Sequence, residues 1–121
     1  MSSDTPEIVA THTDGYDDRG RTADLDDAFD LLADRRRRYV LYYLREEGAA
    51  DVEELAEQLS RWEGTTTPEH RRRILTELHH KHLPKLTENG VVRVEGSVEV
   101  AHMSSQIEAY LDLAAEQERP L

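Results

Sequence analysis

Between Val52 and Val100 the spacing of apolar residues changes its period, so no single secondary structure can carry the stretch. Val52, Leu55, Ala56 and Leu59 recur as one face of a helix, with Trp62 extending the stripe. Gly64 breaks that pattern. Thr65, Thr66 and Thr67 then offer hydroxyl caps directly before Pro68, a favoured first helical residue. A second helix is predicted over residues 68–82, with Pro84 expected to end or kink it and residues 86–90 to finish the turn. Beyond Gly90 the pattern alternates: Val92, Val94, Val98 and Val100 on one side, Arg93, Glu95 and Glu99 on the other, with Gly96 at a tight turn.

The flanking segments are simpler. Residues 1–22 hold Asp4, Pro6, Asp14, Gly15, Asp17, Asp18 and Gly20 with almost no apolar periodicity, and are expected to be an acidic, flexible N-terminal tail. Leu25, Ala28, Phe29 and Leu32 are spaced for a first helix, with Asp24, Asp26 and Asp27 near its positive end. Asp34 can cap a second helix that Gly48 would close. Its centre, Tyr39 to Leu44, has strand-like residues, but Arg35–Arg38 before it and Arg45, Glu46 and Glu47 after it favour a helix packed on most sides. A last helix presents Met103, Ile107, Tyr110, Leu111 and Ala114 on one stripe, and Pro120 stops it. The expected fold is mainly α with a small β-hairpin. It is a winged helix-turn-helix over residues 23–101, with the wing at 91–101, followed by a C-terminal helix over 102–121.

Charge is the main objection to a DNA-binding role. The chain carries a formal net charge of -11, from 26 acidic and 15 basic residues, and its only lysines are Lys81 and Lys85. An acidic, lysine-poor surface is the composition expected of a protein that stays hydrated in molar salt, and so of a halophilic source, the bland alternative being an ordinary acidic protein. The charge is also unevenly placed. Residues 1–34 hold ten acids and two arginines, whereas residues 68–93 hold six Lys or Arg against three Glu, with four histidines besides. That internal segment is the one local footprint suited to phosphate.

On a helical projection, Ile74, Leu75, Leu78 and His82 of the 68–82 segment share one side, and Glu69, Arg72, Arg73, Thr76, Glu77 and His80 the other. Arginine bonds guanine bidentately or clamps a phosphate, and threonine contacts base edges, so Arg72, Arg73, Thr76 and His80 are the groups expected in a major groove. Arg71 lies nearer the inner edge, within reach of backbone phosphate. Thr65, Thr66 and Thr67 provide hydroxyls and N–H groups at the helix start, and Arg93 a contact on the wing. For each the bland alternative is a solvated charged face. What favours function is the helix and turn before this segment and the hairpin after it.

Other clusters read as structural. Arg35–Arg38 wraps around its helix, and the acids Asp24, Asp26, Asp27, Asp30 and Asp34 are expected to pair with it. His79 and His80 point to different faces, so no metal site is expected, and His82 is expected at a polar edge of the core. With no cysteine there are no disulfides or thiolate metal sites. No nucleophile–base pair, phosphate loop or isolated carboxylate pair is present, so the chain is not expected to be an enzyme or to carry a cofactor. No apolar run is long enough to span a bilayer, and the polar start is unlike a signal sequence, so a cytoplasmic location away from membranes is expected.

The run Leu31 to Leu44, with Glu54-Leu55-Ala56, His82-Leu83-Pro84-Lys85-Leu86 and Asn89-Gly90-Val91-Val92, resembles the haloarchaeal winged-helix regulators related to the ArsR and PadR groups, over roughly residues 25–101. The resemblance implies a transcriptional regulator that binds a pseudo-palindromic operator in double-stranded DNA as a homodimer. It implies dimerisation through terminal helices, which would employ Met103, Ile107, Tyr110, Leu111 and Ala114. Cysteine-based metal sensing does not carry over. The connection over residues 60–64 reads as longer than the usual turn of the motif. The alternative role is a winged-helix module that binds protein rather than DNA. In molar salt the Debye length is about 3 Å, so distant carboxylates do not repel a duplex and local contacts decide. Acidic side chains near phosphates would then hold inorganic cations at the interface.

Overall fold

The computed structural model describes residues 25–118, and the expected tail over 1–22 lies outside them. Residues 25–32 form helix α1. Then follow α2 (Arg35–Glu47), strand β1 (Ala49–Ala50), α3 (Val52–Glu63), α4 (Pro68–Glu77), a π-helical turn (Leu78–His82), α5 (Leu83–Glu88), β2 (Val92–Glu95), β3 (Ser97–Val100) and α6 (Ser105–Glu118). The chain is mainly helical, with a small antiparallel sheet and a C-terminal helix, and has the element order of a winged helix-turn-helix. Among the described residues no helix is long and apolar enough to cross a membrane.

Helix α2 is the centre of the molecule. Asp34 caps it by accepting from the Arg36 N–H at 2.8 Å, and Gly48, at φ 88°, closes it. Tyr39, Val40, Leu41, Tyr42 and Leu44 are all buried, which accounts for their lack of helical periodicity: this helix is covered on nearly every side. In α1 the buried residues are Ala28, Leu31 and Leu32, whereas Phe29 is 49% exposed, so the apolar face is turned by part of a turn from the predicted one.

Three features depart from the sequence-based expectation. Helix α3 continues through Glu63, so the link to α4 is residues 64–67, four residues and of ordinary length for this motif. Pro84 does not end the helical path. The π-turn inserts one wide loop, with Leu83 N–H donating to Leu78 C=O, and Pro84 falls in the first turn of α5, where a missing N–H costs little. Finally, the hairpin has a third strand. Ala49 and Ala50 pair antiparallel with Glu99 and Val98, giving the order β1-β3-β2 and tying the hairpin to the end of α2.

The hairpin register places Val92 opposite Val100 and Val94 opposite Val98, with Arg93 opposite Glu99, so the valine and charged faces alternate as predicted. Val92 and Val98 are buried, and Val94, nearer the tip, is 43% exposed.

Candidate nucleic-acid interface

Helix α4 is built to present one face. Thr67 Oγ1 accepts from the His70 N–H at 3.1 Å, and Pro68 occupies the first turn. Ile74, and Leu78 just beyond, are fully buried, which turns Arg72, Arg73 and Thr76 outward. Those three line a shallow groove with Glu69 and Glu77. His79 and His80, on the π-turn, are both exposed.

The ion pairs distinguish these arginines from the rest. Arg36, Arg38, Arg45, Arg61, Arg71, Arg93, Lys81 and Lys85 each have a carboxylate partner. Arg37 is buried and donates to the carbonyls of Leu31 (2.8 Å) and Asp30 (3.1 Å), and Arg35 lies over Trp62. Arg72 and Arg73, both exposed, have no carboxylate partner among the described residues. In a chain with 26 acids, two adjacent unneutralised guanidiniums on one helix face form a local cationic site.

The remaining predicted contacts are placed unequally. Thr65 and Thr66 are exposed beside the start of α4, while the Thr67 hydroxyl oxygen is engaged as the cap. Thr76 Oγ1 donates to the Arg72 carbonyl at 3.0 Å and keeps its lone pairs outward. Arg71 faces Glu57 at 3.3 Å, which also holds Arg61 at 3.3 Å. Arg93 is bound by its cross-strand neighbour Glu99 at 3.3 Å, and Glu95 stands near the wing tip, so the wing is the less cationic part of the surface.

Glu77, projected onto the outer face from sequence, lines the α4 groove with its side chain 45% exposed, and it is also engaged by α2 and the π-turn. It accepts from Arg36 Nη1 at 2.9 Å and from His82 Nε2 at 3.2 Å. Arg36 also donates through Nε (2.6 Å) and Nη2 (2.9 Å) to Glu63, which pairs with His70 at 2.8 Å. The Arg36 guanidinium holds the Glu63 carboxyl below the usual carboxylate range. Arg35–Arg38 is therefore engaged within the molecule, as expected, but mainly by glutamates distant in sequence: Arg38 pairs with Glu118 at 2.7 Å rather than with a neighbouring aspartate. No signal in the linear sequence marks those partners, because they lie 27, 41 and 80 residues away.

The stripe predicted for a second copy is mostly occupied. Ile107 (6% exposed) and Leu111 (0%) belong to the chain's own core, and Met103, Tyr110 and Ala114 pack against it. What α6 leaves outward is Leu113, 58% exposed, next to Tyr110, whose ring lies 4.7 Å from that of Phe29.

Residues 29–107 match a family model described as a domain of unknown function (DUF7344). No curated protein and no solved structure matches the chain.

Proposed function

The chain belongs to the DUF7344 family, and we propose that it is a sequence-specific, double-stranded-DNA-binding transcriptional regulator of a halophilic archaeon, acting in the cytoplasm as a homodimer on a pseudo-palindromic operator. The observation that carries this reading is the pair Arg72 and Arg73, outward on α4 and without carboxylate partners among the described residues. A helix of this kind enters a major groove, where arginine bonds guanine O6 and N7. Thr76 and His80 flank the pair, and Thr65 and Thr66 offer hydroxyls to the backbone phosphates. The wing, with Arg93 held by Glu99, is the weaker contact. Glu69, in the same groove, is the group that would hold an inorganic cation against a phosphate.

For the dimer, the exposed Phe29, in ring contact with the partly buried Tyr110, and the exposed Leu113 are the apolar groups best suited to a second copy. Two copies would set their α4 helices about 34 Å apart or a multiple of it, to meet successive major grooves. No catalytic step, metal or cofactor enters the reading. Chromatin immunoprecipitation of the wild type beside an Arg72→Ala, Arg73→Ala double variant tests it. Enriched sites that vanish in the variant are expected. An absence of enrichment for both would leave the protein-binding module, which the acidic wing favours, as the better account.

A further inference from the structure

Helix α4 is gripped at both ends through one side chain of another helix. Arg36, in the first turn of α2, donates to Glu63 with two nitrogens and to Glu77 with the third. Glu63 is the last residue of α3 and pairs in turn with His70, in the first turn of α4. Glu77 is the last residue of α4 and also accepts from His82. His70 and Glu77 are seven positions apart, so they share a helix face and are separated by about 10 Å along the axis. The apolar contacts of Ile74 and Leu78 hold α4 down on the core, but apolar burial is non-directional and tolerates sliding and rotation. A planar guanidinium with three engaged nitrogens has a fixed fork geometry and does not.

We propose that Arg36 is the positioning residue of the DNA-contacting helix: by holding Glu63 and Glu77 together it sets the rotation and tilt of α4 on the body, and with them the aim of Arg72 and Arg73. The inference rests on the duplex-binding reading above only in its second clause; the placement of α4 is testable without DNA. Arg73 is next to Glu77 on the helix surface, four residues before it. The same fork that fixes the helix therefore also keeps one of the two carboxylates spaced to reach Arg73, the other being Glu69, engaged with Arg36 and His82.

The chain has no cysteine, so Glu46→Cys on α2 and Thr76→Cys on α4 accept a pair of spin labels without further engineering. Their distance distribution is compared in molar KCl between the otherwise unchanged chain and Arg36→Met, Arg36→Lys and Glu77→Ala. Lysine keeps the charge but cannot hold two carboxylates in a fork, and Glu77→Ala removes the acceptor of one arm, so both retain a folded protein should Arg36→Met lose it; far-UV circular dichroism reports folding. Displacement or broadening in all folded variants is expected. An unchanged distribution overturns the proposal.

In parallel, unlabelled wild type selects binding sequences from a random duplex pool, and each variant is titrated on the selected duplex and on a scrambled one. The ratio of the two affinities should fall roughly tenfold in the variants, the size of a single lost base contact. The salt dependence of binding to the scrambled duplex should stay as in the wild type in Glu77→Ala, where Arg72 and Arg73 remain and no carboxylate is released beside them. A variant that is merely less stable, with the ratio intact, overturns the positioning role. If the wild type does not discriminate while the label distances shift, the clamp stands and the duplex-binding reading fails.

Discussion

Arg37 Nη1 lies 3.3 Å from His82 Nδ1, in a place where the imidazole is fully buried. Arginine has no acceptor, so Nδ1 must be the accepting nitrogen, and the ring proton sits on Nε2, from which it donates to Glu77. The neutral ring satisfies both neighbours. Adding a second proton would set an N–H against the Arg37 guanidinium. Burial accordingly pushes the His82 pKa down, the leading cause, against the opposing pull of Asp34 and Glu77.

The pH dependence of stability follows from this. With the folded pKa below the ordinary value of about 6.5, the unfolded chain binds the proton more readily between the two, so stability falls as pH drops below about 6.5. The melting temperature should decline from about pH 7.5 to about pH 5.5 in the wild type and be flatter in His82→Gln, whose amide can both accept and donate. A His70→Gln control keeps the wild-type slope attributable to His82. Equal slopes in all three proteins would remove His82 as the cause.

Replacing Arg72 or Arg73 by alanine should cost about 1–3 kcal/mol of binding to a selected duplex for each arginine that reads a base. Arg61→Ala, on the outside of α3 and paired with Glu57, should leave affinity near the wild type. Electrophoretic or fluorescence titration in molar KCl measures both. Titrating the wild type against KCl adds a second check, since a cation held beside Glu69 predicts affinity that is flat or rising with salt, and a steep counterion-release slope would count against it.

The two leucines of α6 should separate folding from assembly. Leu111→Ala removes a fully buried side chain and should destabilise the chain by about 2–5 kcal/mol. Leu113→Glu changes an exposed residue and should leave the melting transition of the protomer within about 0.5 kcal/mol while shifting sedimentation equilibrium toward monomer. A dimer untouched by Leu113→Glu and Phe29→Glu would place the contact elsewhere.

Arg38 fastens α6 to α2. Its Nε and Nη2 donate to Glu118 at 3.0 and 2.7 Å, and the Tyr42 hydroxyl donates to the same carboxylate at 2.8 Å. Arg38 holds the Glu118 carboxyl below the usual range, so this tie persists at neutral pH and is lost only in acid. Arg38→Met should cost about 1.5–3 kcal/mol. Hydrogen exchange should rise first in the last turns of α6, and uniform exchange across all helices would argue against a local fastening.

The helices were largely legible because their stop signals are local. Asp34, Thr67, Gly48 and Gly64 act at the positions where their chemistry predicts, and the valine alternation gave the hairpin. The rest depends on partners distant in sequence. Ala49 and Ala50 carry neither strand propensity nor alternation, and pair because β3 returns to them from 48 or more residues later. The π-turn is a response to packing Leu78 and Leu83 on the core with Pro84 in the path, which no period reveals. On α6 the stripe was found, but the linear pattern does not say whether its partner is the same chain or another, and most of it proved to face the chain's own core. In the candidate interface, the outward side chains were readable from helical geometry. The engagement of Glu77 was not, because its partner Arg36 lies 41 residues earlier.

Trp62 stacks on Tyr39 with ring centroids 4.6 Å apart and an interplanar angle of 21°, and Arg35 lies 5.5 Å from its ring centroid. It is the sole tryptophan, two residues before the Gly64 bend that leads into α4. The indole therefore works as an intrinsic optical gauge at the elbow between the two helices. Its emission colour and its quenching by an added neutral quencher such as acrylamide would track any motion of that elbow in real time, in unlabelled protein and at any salt concentration.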